Sequence, residues 1–173
     1  MSAVDVAIRP EAPGDEEAID AVVREAFVHQ FGSDSEVDLV RSLRDRGELV
    51  PELTLVAELE GRVVGFIAFS EVTLGGERGM GLGLAPVAVA PEHQGVGIGG
   101  ALIRSGLERA AHAGWRFVVL LGHERYYPRF GFVPAAPMGV HGDYGDGASW
   151  MVRPLADAEL LPGHVRYSTA FLD

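Results

Sequence analysis

The sequence predicts an α/β fold: a mixed sheet with antiparallel strands first, then one strand–helix–strand unit, flanked by helices. Three observations predict it. Two apolar stretches, residues 53–59 and 62–70, flank Glu60-Gly61 in the manner of a tight hairpin. A strand over residues 81–89 ends in a glycine-packed loop that opens a helix over 96–113. Residues 117–121 then form a continuous apolar run, the kind of strand buried on both faces.

The remaining elements follow in chain order. Residues 4–9 alternate as a short strand, and 10–14 break it. Residues 15–31 read as a helix, with Asp15 placed to cap it and Ile19, Val22, Val23, Ala26 and Phe27 at helical spacing. Phe31-Gly32-Ser33-Asp34-Ser35 interrupts it. A second helix over 36–46 turns Val37, Val40 and Leu43 inward and stops at Gly47. Residues 71–80, with Gly75-Gly76, read as a loop or edge region. In the 96–113 helix Leu102, Ile103 and Leu107 face the core. Residues 124–130 make a brief helical turn, 132–135 resume extended chain, and 137–146 form a Gly- and Pro-rich loop. Residues 150–153 and 165–170 read as closing strands around a short helix over 157–161. No repeat, low-complexity segment or interdomain linker interrupts the pattern, so residues 1–173 are expected to form one domain.

Composition narrows the function. At 173 residues, 47% hydrophobic and 23% charged, the chain can bury a full core unaided. It has no run of about 18 apolar residues and no basic segment leading into an apolar one. Cytoplasm is therefore the expected location, with no membrane partner. The absence of cysteine removes disulfides, thiolate metal sites and a cysteine acyl-enzyme. A formal charge of −11 lacks the basic footprint of a nucleic-acid binder and favours cationic partners only weakly. His29, His93, His112, His141 and His164 show no metal-ligand spacing, and no metal is expected. Trp115 and Trp150 are read as packing residues.

Function concentrates in the loop Gln94-Gly95-Val96-Gly97-Ile98-Gly99-Gly100. Amides with no bulky Cβ in front of them can close around a phosphate, and the helix dipole adds to the attraction. A nucleoside-triphosphatase loop needs Gly-Lys-Ser/Thr at its end, and Gly99-Gly100-Ala101 supplies neither group. Gly95, Gly97 and Gly100 satisfy the dinucleotide pattern Gly-x-Gly-x-x-Gly literally. In that fold, however, the glycines leave the strand directly, whereas residues 91–94 intervene here. Too little chain follows Gly100 for the further strand–helix units that fold requires.

A third reading fits the loop and its surroundings. Gln94-Gly95-Val96-Gly97-Ile98-Gly99, after the strand Val87-Ala88-Val89, resembles the pyrophosphate loop of the GNAT N-acetyltransferases. Tyr127-Pro128-Arg129-Phe130-Gly131-Phe132 resembles that family's Tyr-x-x-x-Gly-Phe segment. Phe31-Gly32 before the second helix, Tyr126-Tyr127, and the closing Val165-Arg166-Tyr167 with Ala170-Phe171 are similar to the YhbS-like bacterial branch. Two positions depart from the pattern. Val96 stands where many relatives carry Arg or Lys, and His123 where an acidic residue is expected.

The resemblance implies a mostly antiparallel sheet with one splayed parallel strand pair. It implies direct acetyl transfer from acetyl-CoA to an amine, and a homodimer is possible. Pro86 agrees with the splay, since proline in a central strand belongs at a bulge. By resemblance, the backbone of Val87, Ala88 and Val89 borders the cofactor's pantetheine arm, and an amide near the bulge, that of Val87, faces the developing oxyanion. Gln94, Gly95, Val96, Gly97, Ile98, Gly99 and Gly100 would hold the diphosphate. Tyr127 takes the general-acid position, where a phenol can protonate a leaving thiolate, and Tyr126 packs or lines the acceptor site. The base is open between Glu71, His123 and Glu36. The 137–146 loop is placed to border the acceptor site, whose amine, small molecule or peptide, the sequence does not specify. The competing reading is a non-catalytic acyl-CoA-binding module of the same fold.

Overall fold

The computed structural model describes residues 5–172. Its helices are α1 (Glu16–Phe31), α2 (Ser35–Asp45) and α3 (Ile98–His112). Its strands are β1 (Ala7–Pro10), β2 (Leu55–Leu59), β3 (Arg62–Leu74), β4 (Glu77–Val89), β5 (Phe117–Leu121), β6 (Val133–Pro134), β7 (Val140–Gly142), β8 (Trp150–Pro154) and β9 (Gly163–Arg166). The sheet runs in the order β1-β2-β3-β4-β5-β8-β6, and β9 pairs with both β3 and β7. Among the described residues, β4–β5 and β7–β9 are the parallel pairs and the others are antiparallel. The mixed sheet and the strand–helix–strand unit β4-α3-β5 are those expected.

The β2–β3 hairpin turns at Glu60 and Gly61, with φ of 51° and 78°, the paired left-handed conformation of a two-residue turn. Helix α1 turns Ile19, Val22, Val23 and Ala26 inward, and α2 turns Val37, Val40 and Leu43. These pack on one face of the sheet against Val56, Phe66, Ala68 and Ala88. Helix α3 covers the other face, where Ile98, Leu102, Ile103 and Leu107 meet Leu55, Ile67, Phe69, Leu82 and Leu84. Strand β3 is thus apolar on both faces, and its period-2 alternation disappears from the sequence.

Several elements differ from their sequence reading. Residues 71–80 are rungs of a longer β3–β4 hairpin, with Val72 opposite Gly81 and Leu74 opposite Glu77. Val72 and Leu74 are drawn in by a third core of Phe117, Val119, Trp150, Val152 and Val165, supplied by distant elements. The expected helix over 157–161 does not form. Five residues that turn only Leu160 onto the core cannot offset the cost of helix nucleation. Strand β9 ends at Arg166, and residues Thr169–Leu172 form a 3-10 turn. The 137–146 loop contains β7, which gains its partner only when β9 arrives. Val4 lies outside the described residues, and the first strand extends to Pro10, tolerable because β1 is an edge. Asp15 makes no side-chain cap to α1. Its carboxylate accepts from the Ala12 amide at 2.7 Å and pairs with Arg9 at 2.7 Å. Helix α3 starts at Ile98, two residues late, because Gly97 is left-handed at φ 93°.

The feature that positions a site is the divergence of β4 from β5. They share the rungs Gly81–Phe117, Leu82–Val118 and Gly83–Val119. Beyond them β4 continues along β3 to Val89, while β5 continues along β8 to Leu121. Opposite β3, Val87 faces Ile67 and Leu84 faces Phe69, so Ala85 and Pro86 form a bulge against Ala68.

Gly106 lets α3 approach the sheet, since a Cβ there would lie 2.5 Å from the Phe69 ring. Gly106→Ala is expected to lower unfolding free energy by about 1–3 kcal/mol in urea titration, overpacking outweighing alanine's helix propensity of about 1 kcal/mol. A gain in stability would show that the ring yields freely.

Candidate active site

The parted strands open into a cavity of about 1430 Å³ that reaches both faces of the sheet. One wall is the free edge of β4. The Ala90 amide donates to Val64 on β3 at 2.9 Å. Backbone groups alternate along a strand, so Ala88 also faces β3 while Val87 and Val89 present theirs to the gap. The Val89 carbonyl shows this directly, because Gln94 Nε2 donates to it at 2.9 Å across the opening. Val87 and Val89 line the cavity. Ala88 does not: its side chain is buried under α1 and α2, at 2% exposure.

Gln94, Gly95, Gly97, Ile98, Gly99 and Gly100 form the next part of the wall. The first intrahelical bond of α3 runs from the Ala101 amide to the Gly97 carbonyl at 3.0 Å. The amides of Ile98, Gly99 and Gly100 therefore have no acceptor within the helix. No acidic residue occupies the first turn of α3, and no side chain caps it. Such a terminus suits an anion. Val96 turns away from the cavity and packs against the core beneath α3.

Arg104, Arg125 and Arg129 line the same end. Arg104 lies over the Phe130 ring at 5.0 Å and Arg129 over Tyr126 at 4.6 Å. Arg129 Nε also donates to the Tyr126 carbonyl at 2.9 Å. None of the three pairs with a carboxylate among the described residues. Sequence reasoning passed them over, although Arg104 lies seven residues after Gly97, two helical turns along one face.

Tyr126 and Tyr127 both line the cavity and meet edge to face at 5.1 Å. The Tyr126 hydroxyl lies over Gly99, 3.6 Å from where a Cβ would stand. Tyr127 packs edge-on to Phe132 at 5.9 Å and across Gly122, where a Cβ would come within 2.5 Å of its ring. Burial pushes the Tyr127 hydroxyl up to about 12, so it stays protonated at neutral pH.

The three base candidates separate. Glu71 lies outside the cavity wall: its carboxylate accepts from Arg78 at 2.6 Å and from the Gly79 amide at 2.6 Å, across the β3–β4 hairpin. His123 and Glu36 both line the cavity. Tyr144, from the loop expected at the border, lines it too, together with Phe27, Phe31, Tyr167 and Phe171, which the sequence marked as helix-face or family-resemblance positions and not as site residues. Trp150 is fully buried, donating to the Val140 carbonyl at 3.1 Å, and Trp115 packs beneath α3. No group of three or more potential metal ligands gathers among the described residues. No described helix is long and apolar enough to cross a membrane.

Comparison with known proteins agrees with this geometry. Residues 51–134 match the acetyltransferase (GNAT) domain. The chain is 42% identical over 157 residues to the uncharacterized N-acetyltransferase YjhQ of Escherichia coli K12, covering 83% of this chain and 84% of that protein. It is 39% identical over 168 residues to the uncharacterized N-acetyltransferase YhbS of the same strain, covering 95% and 97%. The crystal structure of E. coli YhbS in complex with CoA superposes with a TM-score of 0.89 at 36% identity, over 100% of this chain and 95% of that one. A GNAT acetyltransferase from Brucella melitensis, in complex with acetyl-CoA, gives 0.81 at 38% identity, over 97% and 99%. The chain belongs to the GNAT N-acetyltransferase family. Within it, the chain stands in the YhbS-like branch.

Gly122→Ala places a methyl group where the Tyr127 ring lies. It is expected to lower acetyl-transfer turnover about 10²-fold, the scale of a misplacement of about 1 Å in a reaction cavity, with CoA affinity within about twofold by calorimetry. Unchanged turnover would show that the ring position is immaterial.

Proposed function

We propose that residues 1–173 act as one N-acetyltransferase domain in which the split between β4 and β5 is the reaction channel and Tyr127 the proton donor. The observation that carries this reading is that the free backbone edge at Val87 and Val89, the uncapped start of α3 and the Tyr127 ring all open on one cavity. At about 1430 Å³ it exceeds the roughly 300–1,000 Å³ of a single small-ligand pocket, room for a donor and an acceptor together.

The residues present suit coenzyme A. The amides of Ile98, Gly99 and Gly100, with those of the preceding loop, would hold the diphosphate. Arg104, Arg125 and Arg129 would neutralise phosphate charge from the same side. Val87 and Val89 would hydrogen-bond the amide-rich pantetheine arm as a neighbouring strand does. Acetyl-CoA supplies the activated thioester carbonyl. The Val87 amide is assigned to the carbonyl oxygen, as a donor fixed before charge develops. Tyr127 donates its proton to the departing sulfur, and its burial keeps that proton available across the neutral range. Deprotonation of the attacking amine is assigned to His123, which lines the cavity just past the end of β5. The acceptor is an amine, in keeping with the N-acetyltransferase relatives. Cytoplasmic location and a homodimer complete the proposal, supported by the composition and the family resemblance.

Thermal shift tests the donor. Acetyl-CoA at 100 times its Kd should stabilise the fold by about 2.7 kcal/mol, while NADH and ATP should have little effect. Stabilisation by NADH alone would overturn the reading. Tyr127→Phe should lower kcat about 10²- to 10⁴-fold with acetyl-CoA affinity retained, measured by CoA release over an amine panel. Equal turnover would remove Tyr127 from the acid's role. In spectrophotometric titration, the tyrosine lost in Tyr127→Phe should ionise near pH 12 rather than near 10, the sign set by burial disfavouring the phenolate.

A further inference from the structure

The cavity has two chemically different ends. The end beneath α3 carries Arg104, Arg125 and Arg129, whereas Glu36, at the start of α2, is the sole carboxylate among the described lining residues. In a chain of net charge −11, a wall with three arginines and one acid is not a sample of the general surface. Glu36 is half-buried and has no hydrogen bond or ion pair with any described residue. Burial holds its carboxyl above the usual carboxylate range. A desolvated carboxylate without a partner is costly unless a cation completes it.

Aromatic rings surround that end. Phe27 and Phe31 meet tilted at 5.7 Å on the last turns of α1. From the opposite side, Tyr144 meets Tyr167 at 5.6 Å, and Tyr167 meets Phe171 at 4.9 Å. Phe31 is 65% exposed and lines the cavity, so part of its ring is open to an occupant. Ring faces beside one acid attract an ammonium and shelter an apolar body at the same time.

We propose, building on the acetyltransferase reading, that this end receives the acceptor as a single primary ammonium on an aromatic or aliphatic apolar body, and that Glu36 selects its charge. Three exclusions follow. An α-amino acid would bring its own carboxylate against Glu36. A polyamine would bring further charges for which the described residues of the wall offer no second acid. A small alkylamine would leave the rings unfilled.

Calorimetry can test this with dead-end complexes, titrating 2-phenylethylamine, phenylalanine, spermidine and ethylamine into the protein with and without saturating CoA. The expected result is that 2-phenylethylamine binds at least about tenfold more tightly than the other three, the scale of one charge-assisted contact. Glu36→Gln should raise the Kd of 2-phenylethylamine about tenfold and leave the Kd of CoA unchanged. It should also raise Tm by about 1–3 °C, since it removes the unpaired carboxylate. Phe31→Ala, at an exposed position, should weaken 2-phenylethylamine more than ethylamine. Equal binding of phenylalanine or spermidine, or an unaltered Kd in Glu36→Gln, would overturn the proposal. Failure of CoA itself to bind would instead count against the donor reading, while the titrations without CoA still decide the acceptor class.

Discussion

Two parallel strands that share three rungs and then separate leave backbone hydrogen-bonding groups with nowhere to go. A buried amide or carbonyl left unmade costs about 1–3 kcal/mol, so such a gap survives only where water or a ligand fills it. Here each strand is held apart by a partner on its far side: β4 by β3 through the Ala85-Pro86 bulge, β5 by β8 to its last residue. Gln94 satisfies one of the exposed carbonyls, that of Val89. The split is thus built into the sheet, and the cavity, the helix terminus and the tyrosine pair are arranged around it.

Because the split passes through the sheet, it joins two faces with different chemistry. Helix α3 brings an uncapped N-terminus and Arg104, and the 3-10 turn Tyr127–Phe130 with its preceding residues brings Arg125 and Arg129. Helices α1 and α2 bring aromatic rings and one carboxylate. A polyanionic donor approaching an acidic protein needs such a local reversal of sign, since clefts lined by one charge focus the field where the global charge would repel.

The glycine loop and the tyrosine turn that line one end of the cavity were legible because they are local in sequence. The loop from Gln94 to Gly100 carries its own turn geometry and opens its own helix, and the segment from Tyr127 to Phe132 carries the adjacent ring. Arg104, Arg125 and Arg129 lie inside or beside these same segments, yet arginine is common on surfaces and spacing alone did not mark them. Phe27, Phe31, Tyr144, Tyr167 and Phe171 come from three remote parts of the chain, so no window of sequence contains their meeting. Glu71 and Glu36 looked alike in sequence. Only the β3–β4 hairpin, by placing Arg78 beside Glu71, took the first out of contention.

Sequence alone determined the mixed sheet, the strand–helix–strand unit, the family and the glycine loop that opens α3, because periodicity, turn residues and helix starts are written in short-range order. The tertiary structure decided which backbone edge is free, where 71–80 and 137–146 find strand partners, and which acid faces the cavity. Those outcomes depend on contacts between distant elements, where burial and pairing override local preference.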